Sequence, residues 1–117
     1  MALGCAAQYE DPNVARAERM MGFVVANQAD SLYAYMADEV LSMVKEGSFE
    51  GVLAKVEALV GKYKGHGAWE VQTVMGQKAY VSMMQFERGE LAMLIVFNGA
   101  GRMLGIQMLP PEAVKKG

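Results

Sequence analysis

The chain has 117 residues, 53% of them hydrophobic and 21% charged, which is greasy enough to bury one core and too greasy for a disordered segment. Eleven Lys and Arg against 13 Asp and Glu leave a formal net charge of −2, so there is no basic footprint for a phosphate backbone and nucleic acid is excluded as an expected partner. No apolar run approaches the roughly 18 residues of a membrane-crossing helix, and the single cysteine, Cys5, leaves no intrachain disulfide and no thiolate metal cluster.

Residues 1–10 are expected to be a flexible N-terminus. Small residues at Cys5 and Ala7 would suit the end of an export signal, but the charged leader and long apolar region of such a signal do not precede them. Asp11-Pro12 is a cap followed by proline at the first helical position, and Val14, Ala17, Met21 and Val24 then recur at helical spacing up to Asn27-Gln28. Asp30 or Ser31 caps a second helix with Leu32, Met36, Val40 and Val44 along one stripe, with an optional break at Ala37-Asp38. Gly47 suits its left-handed end. Ser48 caps a third helix with Phe49, Val52, Leu53, Val56, Leu59 and Val60 on its apolar face, and Gly61 to Gly67 reads as a loop.

The period then changes. AWEVQTVM, KAYVSMMQFE, ELAMLIVFN and RMLGIQML are strand-like runs separated by Gly76-Gln77, Arg88-Gly89 and Asn98 to Gly101, which is hairpin chemistry. The expectation is an α+β fold: three N-terminal helices on a four-stranded antiparallel meander, one domain over residues 11–110 and a tail over 111–117. A two-residue turn at Arg88-Gly89 pairs Phe86 with Leu91, Met84 with Met93, Ser82 with Ile95 and Tyr80 with Phe97. With similar turns elsewhere, one face collects Trp69, Val71, Thr73, Tyr80, Ser82, Met84, Phe86, Leu91, Met93, Ile95, Phe97, Leu104, Ile106 and Met108. That face is expected to meet the helices. The other face, with Met103 on it, is apolar only in its middle. Its patch of Val81, Met83, Leu94 and Val96 is the expected contact of a homodimer.

Chemistry is sparse. The inward strand face carries no Asp, Glu, His or Lys, so a proton-transfer base would have to come from a helix, where Asp30, Asp38 and Glu39 are the acids considered. His66, the only histidine, is expected in solvent, and too few ligands accompany it for a metal site. No Gly-x-Ser-x-Gly elbow and no dinucleotide or phosphate loop is present, so no cofactor is expected. The 11 methionines read as adaptable packing.

Helices folded onto a curved antiparallel sheet, in a chain of this length, resemble the nuclear transport factor 2-like (cystatin-like) cone. The sequence also looks like a bacterial branch of that superfamily catalogued as a domain of unknown function. The matching residues are Phe23-Val24-Val25, then Phe49-Glu50-Gly51-Val52-Leu53 leading to Leu59-Val60-Gly61-Lys62-Tyr63. After them come Phe86-Glu87-Arg88-Gly89, Ile95 through Arg102, Gly105-Ile106 and Pro110. In that branch the domain stands alone in exported proteins or precedes an α/β-hydrolase, which implies a secreted, extracytoplasmic setting and supplies no reaction. The expected role is a non-catalytic small binding or accessory domain. Its candidate pocket for an apolar small molecule lies between helices and sheet, lined by Trp69, Thr73, Tyr80, Ser82, Phe86 and Phe97; the competing expectation is that the aromatic members simply fill the core. The alternative function is a polyketide-cyclase- or isomerase-like enzyme that uses a helix carboxylate.

Overall fold

A computed structural model describes residues 12–44, 49–74 and 76–113 of the protein. The expectations for residues 1–10, for the caps at Asp11 and Ser48, for Gly47 and for the end of the tail lie outside the described residues.

The first helix, α1 (Pro12–Val25), buries Ala17, Met20, Met21 and Val24, the spacing of a single stripe. It stops in a Schellman arrangement. Asn27 takes a positive φ of 57°, and the Gln28 N–H reaches the Phe23 carbonyl at 2.8 Å. Asparagine tolerates that conformation better than most side chains do.

The expected second helix is divided. Helix α2 (Ala29–Ala34) and helix α3 (Asp38–Leu41) flank the segment Tyr35–Ala37, which leaves the helical conformation of Tyr35 for extended backbone at Ala37. There Met36 makes a parallel bridge to Met103, with Met103 N–H donating to Tyr35 O at 2.8 Å and Ala37 N–H donating to Met103 O at 2.9 Å. Arg102 also donates through Nη2 to the Ala34 carbonyl at 2.8 Å. Tertiary pairing outweighs local helical periodicity here, and the optional break at Ala37-Asp38 is where the chain divides. Helix α4 (Val52–Val60) contains no fully buried residue; Leu53, Val56 and Val60 lean on the core from one side.

Among the described residues the sheet is antiparallel and has five strands rather than four: β1 (Tyr63–His66), β2 (Glu70–Val74), β3 (Gln77–Phe86), β4 (Gly89–Phe97) and β5 (Met103–Leu109). Strand β1 replaces part of the expected loop. It pairs with the second half of β3 while β2 pairs with the first half, so two short strands share one edge. The turn of the β3–β4 hairpin is Glu87-Arg88, which gives Phe86↔Gly89, Met84↔Leu91, Ser82↔Met93 and Tyr80↔Ile95. Each partner is displaced by two positions from the expected pairing. A two-residue displacement preserves the side-chain face, because strand side chains alternate with period two.

Strand β5 departs from the expectation in a way that matters. A bulge between Val96 and Phe97 pairs Val96 with Gly105 and Phe97 with Met103, leaving Leu104 as the extra residue. The insertion reverses the alternation, so Met103, expected on the outer face, is buried in the inner core with Met36, while Leu104 stays half-buried outside that cluster. The main core joins α1, α2 and the inner face of the sheet through Met20, Met21, Leu32, Tyr80, Met84, Met93 and Ile95. Val71 and Thr73 have the inner phase but are exposed, Val71 at 45%. No helix among the described residues is long and apolar enough to cross a membrane.

Candidate functional site

Of the residues expected around an aromatic pocket, the aromatic ones go to the core, as the competing expectation has them, with Trp69 packed against it from the side. Tyr80, Phe86 and Phe97 are buried in the main core, Tyr80 edge-on to Phe97 at 5.8 Å between ring centroids and Phe86 edge-on to Tyr63 at 5.7 Å. Asn13 Nδ2 lies 3.4 Å from the Tyr80 hydroxyl. Thr73 is exposed on β2. Trp69 and Ser82 do come together, but around His66, expected in solvent, and Glu18 of α1.

Three elements and the connection between β1 and β2 build this polar cluster. Glu18 lies four residues after Val14 and three before Met21, so it stands at the margin of the buried stripe of α1 and is directed at the sheet edge. Strand β1 delivers His66, and the Gly67 N–H bonds the Met83 carbonyl at 3.0 Å and holds the corner against β3. Strand β3 supplies Ser82, 1% exposed and the one buried polar side chain among the described residues. The Ser82 hydroxyl donates to the Gly67 carbonyl at 2.8 Å. His66 Nδ1 lies 2.7 Å from that same carbonyl and 2.9 Å from Ser82 Oγ, while Nε2 lies 3.0 Å from Glu18 Oε2. The Trp69 indole N–H donates to the other Glu18 oxygen at 2.8 Å, and its ring sits 5.8 Å from the imidazole.

Electrostatics follow from these contacts. Burial pushes the Glu18 carboxyl up, but the hydrogen bonds from Trp69 and His66 and the attraction to His66 outweigh it, so the group sits below its ordinary value of 4.5. Burial, with the Glu18 charge added, raises the Tyr63 phenol above 10.0. A carboxylate held below its ordinary value stabilises the fold above that value and loses the contribution as pH falls through the lowered one. Glu18→Gln is therefore expected to differ most from wild type at neutral pH, the gap in urea midpoint closing as pH is taken below 4.5. The gap will be small, because the Glu18 side chain is 58% exposed and water screens it.

The cluster contains a serine, a histidine and a carboxylate, yet its geometry suits a clamp better than a nucleophile. A hydroxyl that is out of solvent and already donating to a carbonyl has no path to an incoming acyl group. No group of three or more His, Cys, Asp or Glu capable of holding a metal occurs among the described residues. The helix acids considered from sequence lie elsewhere: Asp38 and Glu39 are exposed on α3, and Asp30 lines a polar groove of about 290 Å³ with Asn27, Gln28, Ser31 and Glu50. What could have pointed to Glu18 was its place on the edge of the α1 stripe, and to His66 its alternation with Lys64 in a Gly-flanked run.

A second feature is apolar. A cleft of about 90 Å³ is lined by Val24 of α1, Phe49 ahead of α4, Val52 at its start, Met93 of β4, and Ile106, Gln107 and Met108 of β5. None of these is ionisable. The candidate homodimer patch lies on the opposite face of the sheet. Val81 is 4% exposed and Ala92 fully buried there, with Met83, Leu94 and Leu109 packed around them and Val96 half-buried nearby. Comparison with protein-family models, curated proteins and solved structures finds no match to the chain.

Proposed function

We propose that the protein is a non-catalytic binding or accessory domain with the architecture of the nuclear transport factor 2-like cone, taking an apolar small molecule between helices and sheet. The observation that carries this reading is the cleft under α4. Its lining is apolar except for Gln107 at the exposed rim, and two of its walls are methionines, which adapt to irregular guests. Helix α4 contributes no fully buried residue, so the cleft has one lightly packed wall. At about 90 Å³ it accepts a short alkyl group and not a drug-sized molecule, for which about 300 Å³ is the usual lower bound.

1-Hexanol is a suitable probe. Methyl NMR of the methionines is expected to show selective shifts at Met93 and Met108 with a dissociation constant of about 1 mM. Met43, 77% exposed and absent from the cleft, serves as the internal control. Val52→Phe should fill the cleft and abolish the shifts. Uniform or absent shifts would remove the proposal. Self-association through the sheet belongs to the same reading, supported by the apolar residues Met83, Leu94 and Leu109 on the face away from α1.

A further inference from the structure

The two edges of the sheet are unlike. On one side the edge is broken into β1 and β2, strands of four and five residues that carry Lys64 and Glu70. Short, interrupted, charged edges resist the addition of another strand. On the other side stands β5, seven residues long and continuous. From Leu104 to Leu109 it reads Leu-Gly-Ile-Gln-Met-Leu, without a charge or a proline. Its first residue is protected, since the Met103 N–H and carbonyl are both taken by the segment Tyr35–Ala37. Beyond Met103, no backbone group of the described residues pairs with the outer side of β5.

We propose that this edge is where a second copy of the chain adds, β5 pairing antiparallel with the partner's β5 in one continuous sheet. This rests on the self-association proposed above and names its contact as an edge rather than a face. A second copy fits because the same uncharged strand occurs on both partners, and a two-fold axis normal to the sheet makes the pair self-complementary with no like charges opposed. That axis keeps the helices of both copies on one face. Leu109, which packs with Val81, Met83 and Leu94 on the opposite face, would carry the two outer patches toward one another across the seam.

Gly105 is the position at which to test it. Its backbone has no positive φ and a Cβ there meets nothing within 4 Å, so a side chain can be added without strain in the subunit. Light scattering behind size-exclusion chromatography is expected to give twice the chain mass of 12.7 kDa for wild type at high micromolar concentration. Gly105→Lys should weaken the dimer by roughly tenfold or more in dissociation constant. Gly105→Thr, which adds bulk without charge, should retain it, as should Leu94→Lys on the outer face. Thermal melts of each variant establish that the subunit is folded. If Leu94→Lys alone yields a monomer, the edge contact is wrong and face-to-face association stands; if wild type is monomeric throughout, both are wrong. Amide exchange offers an independent readout: protection at Leu104–Leu109 that rises with concentration supports the seam, and protection that does not change with concentration overturns it.

Discussion

Ile95→Ala is expected to remove about 2–5 kcal/mol of stability, a large share of the roughly 5–15 kcal/mol that holds a domain of this size. Ile95 is fully buried in the middle of β4, paired with Tyr80 on one side and Ile106 on the other, beneath the α1 stripe. Truncation there removes buried methyl and methylene groups and leaves a cavity between strands that cannot close up independently. The adjacent Leu94 provides the contrast. It points to the opposite face and is half-buried in the smaller cluster, so Leu94→Ala is expected to cost about 1 kcal/mol. Urea unfolding of both variants, with unchanged slope and shifted midpoint, measures the difference. Equal costs at the two positions would mean that the faces are not sorted as described.

The second large effect is expected at Gly61, where α4 turns into β1. Its φ of 88° and ψ of −177° lie in a region open essentially to glycine alone. A Cβ there would also stand 2.6 Å from the Glu87 Cβ and 3.4 Å from the Arg88 nitrogen. This close approach is enforced from both sides. The Arg88 N–H bonds the Val60 carbonyl at 2.7 Å, and the Glu87 N–H bonds the Lys62 carbonyl at 3.0 Å. Gly61→Ala must therefore relax the backbone, break the clasp between the two turns, or both, at a cost of about 3 kcal/mol. Gly76 in the β2–β3 turn has a similar φ of 83° but nothing within 4 Å, so Gly76→Ala is expected to cost about 1 kcal/mol from conformation alone. Thermal or urea unfolding of the pair separates strain from collision; a Gly61→Ala protein no weaker than Gly76→Ala would show that the clasp yields freely.

Several parts of this fold are legible along the chain because they depend on neighbours a few residues apart. The α1 stripe, the positions of β2 through β5 and the division of β3 and β4 into an inner and an outer face all follow from local period. The β3–β4 pairing shows why this information is robust. Moving the turn from Arg88-Gly89 to Glu87-Arg88 changes every partner and no face. Strand β1 was not legible, since Tyr63–His66 has only four residues, two glycines flank its histidine and its identity as a strand comes from β3. The β5 bulge was not legible either. It brings Met103 into the core opposite Phe97 and beside Met36, a pairing between 36 and 103 and not between adjacent residues.

The candidate sites divide in the same way. Apolar periodicity by itself determined that one face of the sheet would meet helices, but the expectation that this face carries no ionisable group fails at its edge, where Lys78 pairs with Thr73 and His66 with Met84. Only the tertiary structure decided that His66 of β1 meets Glu18, 48 positions earlier, and Ser82, 16 positions later. It also decided that the small apolar cleft lies among Val24, Val52, Met93 and Met108 rather than around Tyr80 and Phe97. Periodicity is a property of one element and its solvent, so it survives without the rest of the molecule. A hydrogen-bonded cluster or a cleft exists only where separate elements are brought to within a few ångströms, and that distance is set by how α1, α4 and the bulged sheet pack together.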